Sequence, residues 1–361
     1  MSKLIQKEDL VIHFLDVGLG DAIVIEFPED DHGKRLWGIV DFYNAKKSMN
    51  YLDRLNTVRP RSEIAFVCAT HPHSDHISGI ASLMADPDTR PAEFWDSGFR
   101  HNSMTYRRIL GEVSKHKIKM RRVSSGMEWY YGNVRVTALS PSVTLRNRYA
   151  TYGVDMNNAS IVLRIENCNE DAVITQSLRY VGNVDPDITR KAGAAVAILG
   201  GDAEFDSWAR ISQEYPFIER TSKHHPQVKK MVNLLSCWLV KVAHHGSMHS
   251  APLEVYERMM PKVAVVSAEQ DISSTVVAGQ TLERGLYPHP VTGLSLREVG
   301  ADVVTTEGTY EEELKQHADP TYVPKPERGN IIAVIPPGGG NARYAKVGVQ
   351  GNGDPVIPEE I

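Results

Sequence analysis

Apolar residues in this chain come in short runs, and the period of those runs changes along its length. Residues 10–15 (LVIHFL), 21–27 (DAIVIEF) and 36–41 (LWGIVD) are of strand length, with the turn formers Asp31 and Gly33 between the last two. They predict an antiparallel meander. From residue 63 the pattern alternates. EIAFVCA (63–69) is an apolar strand, after which Ile77, Ile80, Leu83 and Met84 fall at helical spacing. A helix is predicted over 106–116, with strands near 118–123, 134–139, 160–166 and 194–199. Helices are predicted over 203–215 and 228–235, and apolar strands at 237–242 and 263–267. Meander and βαβ-like units together define an α/β chain. Residues 176–191 are polar and turn-rich, and the chain from 318 is rich in Pro and Gly. These read as additions to a compact core. One domain is expected over 1–317 and an extension over 318–361, in which 330–335 and 343–349 can dock as short strands.

Composition narrows the function classes. The chain has 361 residues, 42% apolar and 24% charged, which suits a globular protein with a sizeable core. A net charge of -5 disfavours bulk electrostatic binding to nucleic acid but leaves a local basic groove open. No run approaches the roughly 18 apolar residues of a membrane span. The first residues, MSKLIQKEDLVIHF, lack a secretory pattern. Cys68, Cys168 and Cys237 are far apart with no CxxC pair, so free buried thiols in a cytoplasmic protein are expected.

Histidine changes the picture. THPHSDH (70–76) directly follows EIAFVCA and carries His71, His73, Asp75 and His76. Imidazole and carboxylate ligands without thiolates suit catalytic zinc, manganese or iron. Alternate spacing lets His71 and His73 turn to one side, leaving Asp75 and His76 for an adjacent position. Two later strands end in the same residue types. AVAILGGD ends in Asp202, which is either a helix cap or a carboxylate able to bridge two cations. LVKVAHHGS ends in His244 and His245. Ligand sites favour loops beyond the carboxyl ends of strands, so the three clusters are expected to converge. HKIKMRR (116–122) puts Lys117, Lys119 and Arg121 on one strand face. With RNR (146–148), Tyr149 and Tyr152 it offers a candidate lining for single-stranded nucleic acid.

The sequence resembles the metallo-β-lactamase-fold hydrolases, and within them the soluble hydrolase domain of ComEC-type DNA-uptake proteins. The resemblance rests on FLDVGLGDA (14–22), IVD (39–41), THPHSDHISG (70–79), NNASIVLRI (157–165), LGGDAE (199–204), KVAHHGSMHS (241–250), PKVAVVS (261–267) and YPHP (287–290). It implies an αββα sandwich of two mixed sheets flanked by helices, with two divalent metal ions, zinc or manganese, activating a water. It also implies that His71 and His73 hold one ion, Asp75 and His76 the other, with Asp202 bridging and one of His244 and His245, by preference His245, completing the second site. Asn157 and Asn158 stand where the wider fold carries a further histidine, which leaves the first site one ligand short. His101 and His116 are the candidates by elimination. The first cluster reads HxHxDH where the ComEC branch commonly has HxDxDH. Asp75 can also orient the water, His289 matches a histidine placed near the leaving group, and Asp16 and Asp21 match positions beside the cleft. The expected activity is that of a phosphodiesterase or nuclease acting on nucleic acid or a small phosphodiester. A small ester, lactone or thioester, or a binding module retaining the metal site, are the alternatives.

Overall fold

The structure, a computed structural model, describes residues 4–99, 101–145, 155–168, 195–221, 229–268, 275–277, 280–282, 288–307, 328–348 and 355–361. The expected basic and aromatic segment 146–149 with Tyr152, the insertion 176–191, Tyr287 of YPHP and residues 318–327 of the extension lie outside the described residues.

The first sheet is built from β1 (Leu10–Phe14), β2 (Ala22–Glu29), β3 (Arg35–Phe42), β4 (Arg61–Ala69), β5 (Glu93–Asp96) and β6 (Lys119–Arg122). The second contains β7 (Glu128–Tyr131), β8 (Val134–Ser140), β9 (Val162–Asn167) and β10 (Val196–Leu199). Two short ribbons, β11 (Ile218–Thr221) with β12 (Lys229–Val232) and β15 (Thr275–Val277) with β16 (Gln280–Leu282), stand apart from both sheets. The second sheet continues through β13 (Leu239–Lys241), β14 (Val263–Val266) and β17 (Asp302–Thr305), while β18 (Asn330–Ile335) and β19 (Arg343–Val347) return to the first.

The strand orders are β19-β18-β1-β2-β3-β4-β5-β6 and β17-β14-β13-β10-β9-β8-β7. Each sheet is mixed. β3 to β6 run parallel in the first, and β10, β13, β14 and β17 run parallel in the second; the remaining pairs are antiparallel. Within 228–235, expected to be helical, Lys229–Val232 instead pair as β12 with β11, because a cross-strand partner outweighs the weak helical spacing of KKMV, and residue 228 lies outside the described residues.

Three apolar clusters give the layers. Leu10, Ile12, Ile23 and Ile25 meet Val134, Val136, Leu163 and Leu239 between the sheets. The outer face of the first sheet packs on α1 (Ala45–Val58), α3 (Ile80–Ala85) and α4 (Met104–His116), with the one-turn α2 (Ser74–Ile77) leading into α3. The outer face of the second packs on α5 (Phe205–Glu214), α6 (Leu253–Met259) and α7 (Pro290–Glu298). The result is an α/β fold of two mixed sheets flanked by helices. α1 shows how sequence makes such a layer. Asn44 caps it by accepting from the Lys47 N–H at 3.3 Å, and Ser48, Tyr51, Leu52 and Leu55 recur at helical spacing on its buried face. No helix among the described residues is long and apolar enough to cross a membrane.

Two buried polar sets interrupt the apolar layers. His13, the exception in the first apolar run, bonds Glu26 at 2.6 Å and Tyr51 at 2.8 Å, and Arg59 donates to the same carboxylate at 2.9 Å. In the second sheet Glu166 accepts from Arg135 across the β8–β9 pair and from Arg164 on its own strand, both at 2.6 Å. Burial would raise the Glu166 carboxyl, but the two guanidiniums hold it at about 2, below its usual 4.5. The stabilisation is therefore complete above about pH 4.5 and is lost as pH falls through about 2. Glu166→Gln leaves buried Arg164 without its charge partner and Arg135 with Glu128 alone, at 3.6 Å, and is expected to cost about 3–5 kcal/mol at pH 7. Denaturant midpoints at pH 7 and pH 3 check it: the wild-type advantage over Glu166→Gln should shrink at the lower pH.

Candidate metal centre

In each sheet the parallel strands end at the edge where the sequence placed its ligand residues. β4 runs into Thr70 and the 71–76 loop, β10 into Gly200, Gly201 and Asp202, and β13 into the short 3-10 turn Ala243–Gly246. The first sheet thus supplies one arm of the cluster, and the second sheet supplies two.

The three arms converge. His76 Nε2 lies 3.1 Å from Asp202 Oδ1 and 3.7 Å from Asp75 Oδ2. His245 Nε2 lies 3.6 Å from Asp75 Oδ2. One ligand atom from each of Asp75, His76, Asp202 and His245 lies within 4.8 Å of the others. The second carboxylate oxygen of Asp202 faces a different pair: His71 Nε2 is 3.7 Å away and His244 Nε2 is 3.9 Å away. The His73 ring stands 4.6 Å from that of His71. Asp202 therefore sits between two imidazole groups, one at each oxygen. It is not the helix cap; α5 begins after Glu204, and the Asp202 N–H donates to Ser160 Oγ at 3.1 Å.

His244 and His245 separate because neither has extended backbone. Both are left-handed (φ 48° and 51°), and Gly246 follows at φ 76°. Such backbone costs non-glycine residues about 1–2 kcal/mol each. Gly201 has a parallel role: at φ 52° it lets β10 turn, and a Cβ there would meet Thr70 Cβ at 3.1 Å.

Four of the imidazoles are held by their other nitrogen, as in metal sites where an outer partner fixes the tautomer. His76 Nδ1 pairs with Asp41 at 2.7 Å, His245 Nδ1 donates to the Ser267 carbonyl at 3.1 Å, and His244 Nδ1 pairs with Glu204 at 2.9 Å. His71 Nδ1 meets Thr70 Oγ at 3.1 Å, and that hydroxyl donates to Asp41 at 2.7 Å. The inward atoms are left over. Among the described residues, His71 Nε2, His76 Nε2 and Asp202 Oδ1 are buried with no hydrogen-bond partner. Burial of these atoms without hydrogen bonds is costly, and a cation coordinated by them lowers the cost. The donor set of nitrogen and oxygen fits a divalent metal ion.

The electrostatics differ from ring to ring. Burial pushes the His71 imidazole well below its usual value, toward the neutral form that a ligand needs. Burial would lower His76 as well, yet the Asp202 and Asp41 carboxylates drive it well above. Burial would raise Asp202, but His76, His245 and His71 hold it well below the usual range. Asp75 is likewise kept low against burial, by His245 and His76. Asp21, Asp41 and His76 form a second close group, in which the Lys241 ammonium donates to Asp21 and Asp41 binds His76. That group is already neutralised from within.

The remaining sequence candidates fall as follows. The His289 N–H donates to the Gly246 carbonyl at 2.7 Å, and its Nδ1 accepts from the Val291 N–H as the cap of α7, which ties it to the His244–His245 loop. Asp21 packs behind His76, while the Asp16 N–H donates to Asn330 at 2.9 Å, beside β18. Asn157 donates to Glu204 at 3.1 Å and Asn158 accepts from the Ser207 N–H at the start of α5. His116 pairs with Glu112 one turn back on α4, whereas the His101 ring lies 6.0 Å from that of His73. The expected basic face of β6 is corrected in one member: Lys117 is the left-handed cap that ends α4, while Lys119 and Arg121 share a face of β6 and are both paired with Glu93 of β5, at 2.9 and 2.8 Å. Sequence reasoning missed Asp41 as the anchor of the 70–76 loop, Glu204 behind His244, and Lys241. Asp41 and Lys241 carried a signal, since both end an apolar strand beside a ligand cluster.

No protein-family model matches the chain, and no curated protein matches it by sequence. Among solved structures it is similar to a CmlA beta-hydroxylase mutant, with 11% identity, TM-score 0.43, and coverage of 82% of this chain and 52% of that one. It is also similar to the metallo-beta-lactamase fold protein YhfI from Bacillus subtilis, with 11% identity, TM-score 0.38, and coverage of 82% and 95%. A diphosphatase from the PhnP family gives 12% identity, TM-score 0.36, and coverage of 77% and 96%. The chain spans about half the length of the CmlA enzyme.

Proposed function

We propose that this protein is a metal-dependent hydrolase of the metallo-β-lactamase type that cleaves phosphodiesters, with nucleic acid as the favoured substrate class. One observation carries the reading: ligand atoms of Asp75, His76, Asp202 and His245, from three strand-end loops, lie within 4.8 Å of one another, and His76 Nε2 and Asp202 Oδ1 among them are buried without a hydrogen bond. Asp75, His76, His245 and Asp202 would hold one cation. His71, His73, His244 and Asp202 would hold the other, with His244 standing in for the histidine that Asn157 and Asn158 replace. Two divalent cations so held supply an activated water and polarise a phosphoryl oxygen.

The chain's own residues do the positioning. Asp202 separates the two imidazole groups. Asp41, Glu204 and Ser267 fix the rings behind them. Asp75 reaches the inner group at its solvent side, with a side chain 36% exposed, and so is the carboxylate able to orient a water. His289, tied to Gly246, is the candidate contact for the leaving group.

Metal titration of the full chain, read with bis-p-nitrophenyl phosphate, tests the reading. Zinc or manganese should bind at close to two equivalents and switch on turnover. His244→Ala should bind about one equivalent fewer while keeping its fold by circular dichroism. Unchanged stoichiometry in His244→Ala removes it from the ligand set, and a metal-loaded wild type that cleaves carboxylic esters but no phosphodiester removes the substrate class.

A further inference from the structure

β4, β5 and β6 are parallel, so the loop after each opens at the same edge of the first sheet. The loop after β4 carries His71–His76. Beside it, at the ends of β5 and β6, lies a cavity of about 530 Å³ lined by Asp96, His101, Asn102, Tyr106, Arg107, Leu110, Met120 and Arg122. His101 links the two places, its ring 6.0 Å from that of His73. The volume is within the roughly 300–1,000 Å³ of small-molecule sites.

The charges on its wall are sorted by depth. Asp96 is buried and engaged: it accepts from the Tyr106 hydroxyl and from the Gly98 N–H. Arg107 and Arg122 are exposed, Arg107 bonded to the neutral amide of Asn102. The buried carboxylate is therefore satisfied, while the two guanidiniums of the lining are open to solvent. Alternation along β6 gives the reason. Lys119 and Arg121 are spent on Glu93, and Met120 and Arg122, from the opposite face, reach the cavity. Met120 and Leu110 add an apolar wall, to which a thioether offers favourable contact with a flat ring.

We infer that this cavity is a subsite for a nucleotide unit next to the scissile bond, with Arg107 and Arg122 reading a phosphate other than the one that is cleaved. Guanidinium pairs suit phosphate, and the apolar wall suits a base. The inference rests on the phosphodiesterase reading for its place in the reaction, but the subsite can be measured without turnover.

The probes are the dinucleotides pTpT and TpT, which differ by one terminal phosphate, and glycerol 3-phosphate, which has a phosphate and no base. Binding is measured on the chelator-treated full chain, and kcat/KM on the metal-loaded protein. Wild type should favour pTpT over TpT at least tenfold in both. Arg107→Gln with Arg122→Gln should bring the two within twofold of each other and leave turnover of bis-p-nitrophenyl phosphate within twofold of wild type. Glycerol 3-phosphate should bind at least tenfold more weakly than pTpT; equal binding would overturn the nucleotide assignment in favour of a bare phosphate site. Absence of a pTpT preference in wild type, or its survival in the double variant, overturns the subsite. A wild type that binds pTpT preferentially but hydrolyses no phosphodiester instead sinks the catalytic reading and leaves the subsite standing.

Discussion

Asp202→Ala is expected to abolish turnover of bis-p-nitrophenyl phosphate and to lower metal content from about two equivalents to below one. The residue is the only carboxylate among the described residues that stands between both imidazole groups, with Oδ1 3.1 Å from His76 and Oδ2 3.7 Å from His71. Its loss opens both positions at once, whereas loss of His244 opens one. If the cations provide several kcal/mol of transition-state stabilisation, their removal lowers the rate by at least about 10³-fold. The fold should survive, because the backbone of the loop is held elsewhere: the Asp202 N–H by Ser160 and the His244 N–H by the Gly201 carbonyl at 2.9 Å. Elemental analysis and initial rates on the same sample check both parts. A variant with two bound ions and wild-type rates would remove Asp202 from the centre.

The second large effect concerns the C-terminal strands. A chain ending at residue 317 is expected not to fold. β18 lies inside the first sheet, hydrogen-bonded to β1 on one side and β19 on the other, and all six of its residues are buried. Ile331, Ile332, Val334 and Ile335 are fully enclosed. Burying each is worth about 1.5–3 kcal/mol, so the four together represent roughly 6–12 kcal/mol. That matches the whole net stability of an ordinary domain, about 5–15 kcal/mol. Truncation also leaves β1 as an open apolar edge, which invites aggregation. Near-ultraviolet circular dichroism and gel filtration decide the matter: a monomer with native tertiary signal and an unchanged melting temperature would show that β18 is dispensable.

Much of the centre was legible because strand-end chemistry is local. The apolar strand EIAFVCA followed by His71, His73, Asp75 and His76 needs no distant partner to be noticed. The linkage of Asp202 and His245 to that loop rested on the rule that parallel strands open at one edge. Three things could not be read. The directions of His244 and His245 depend on left-handed backbone, to which strand alternation does not apply. The charges of β6 depend on Glu93 from a neighbouring strand, so alternation put Lys119 and Arg121 on one face but did not show that both are paired there. The helical reading of 228–235 failed for the same kind of reason, since the partner strand β11 is set by tertiary pairing. The outer partners Asp41, Glu204 and Ser267 lie far from the rings they hold in sequence and become visible only when the loops meet.

The centre straddles a seam: one arm comes from the first sheet and two from the second. An ion seated there would act as a rivet between the two halves of the sandwich rather than as a local brace within one loop. Loading and cooperativity of unfolding are then linked, and any force that slides one half past the other acts first on the chemistry and only later on the core.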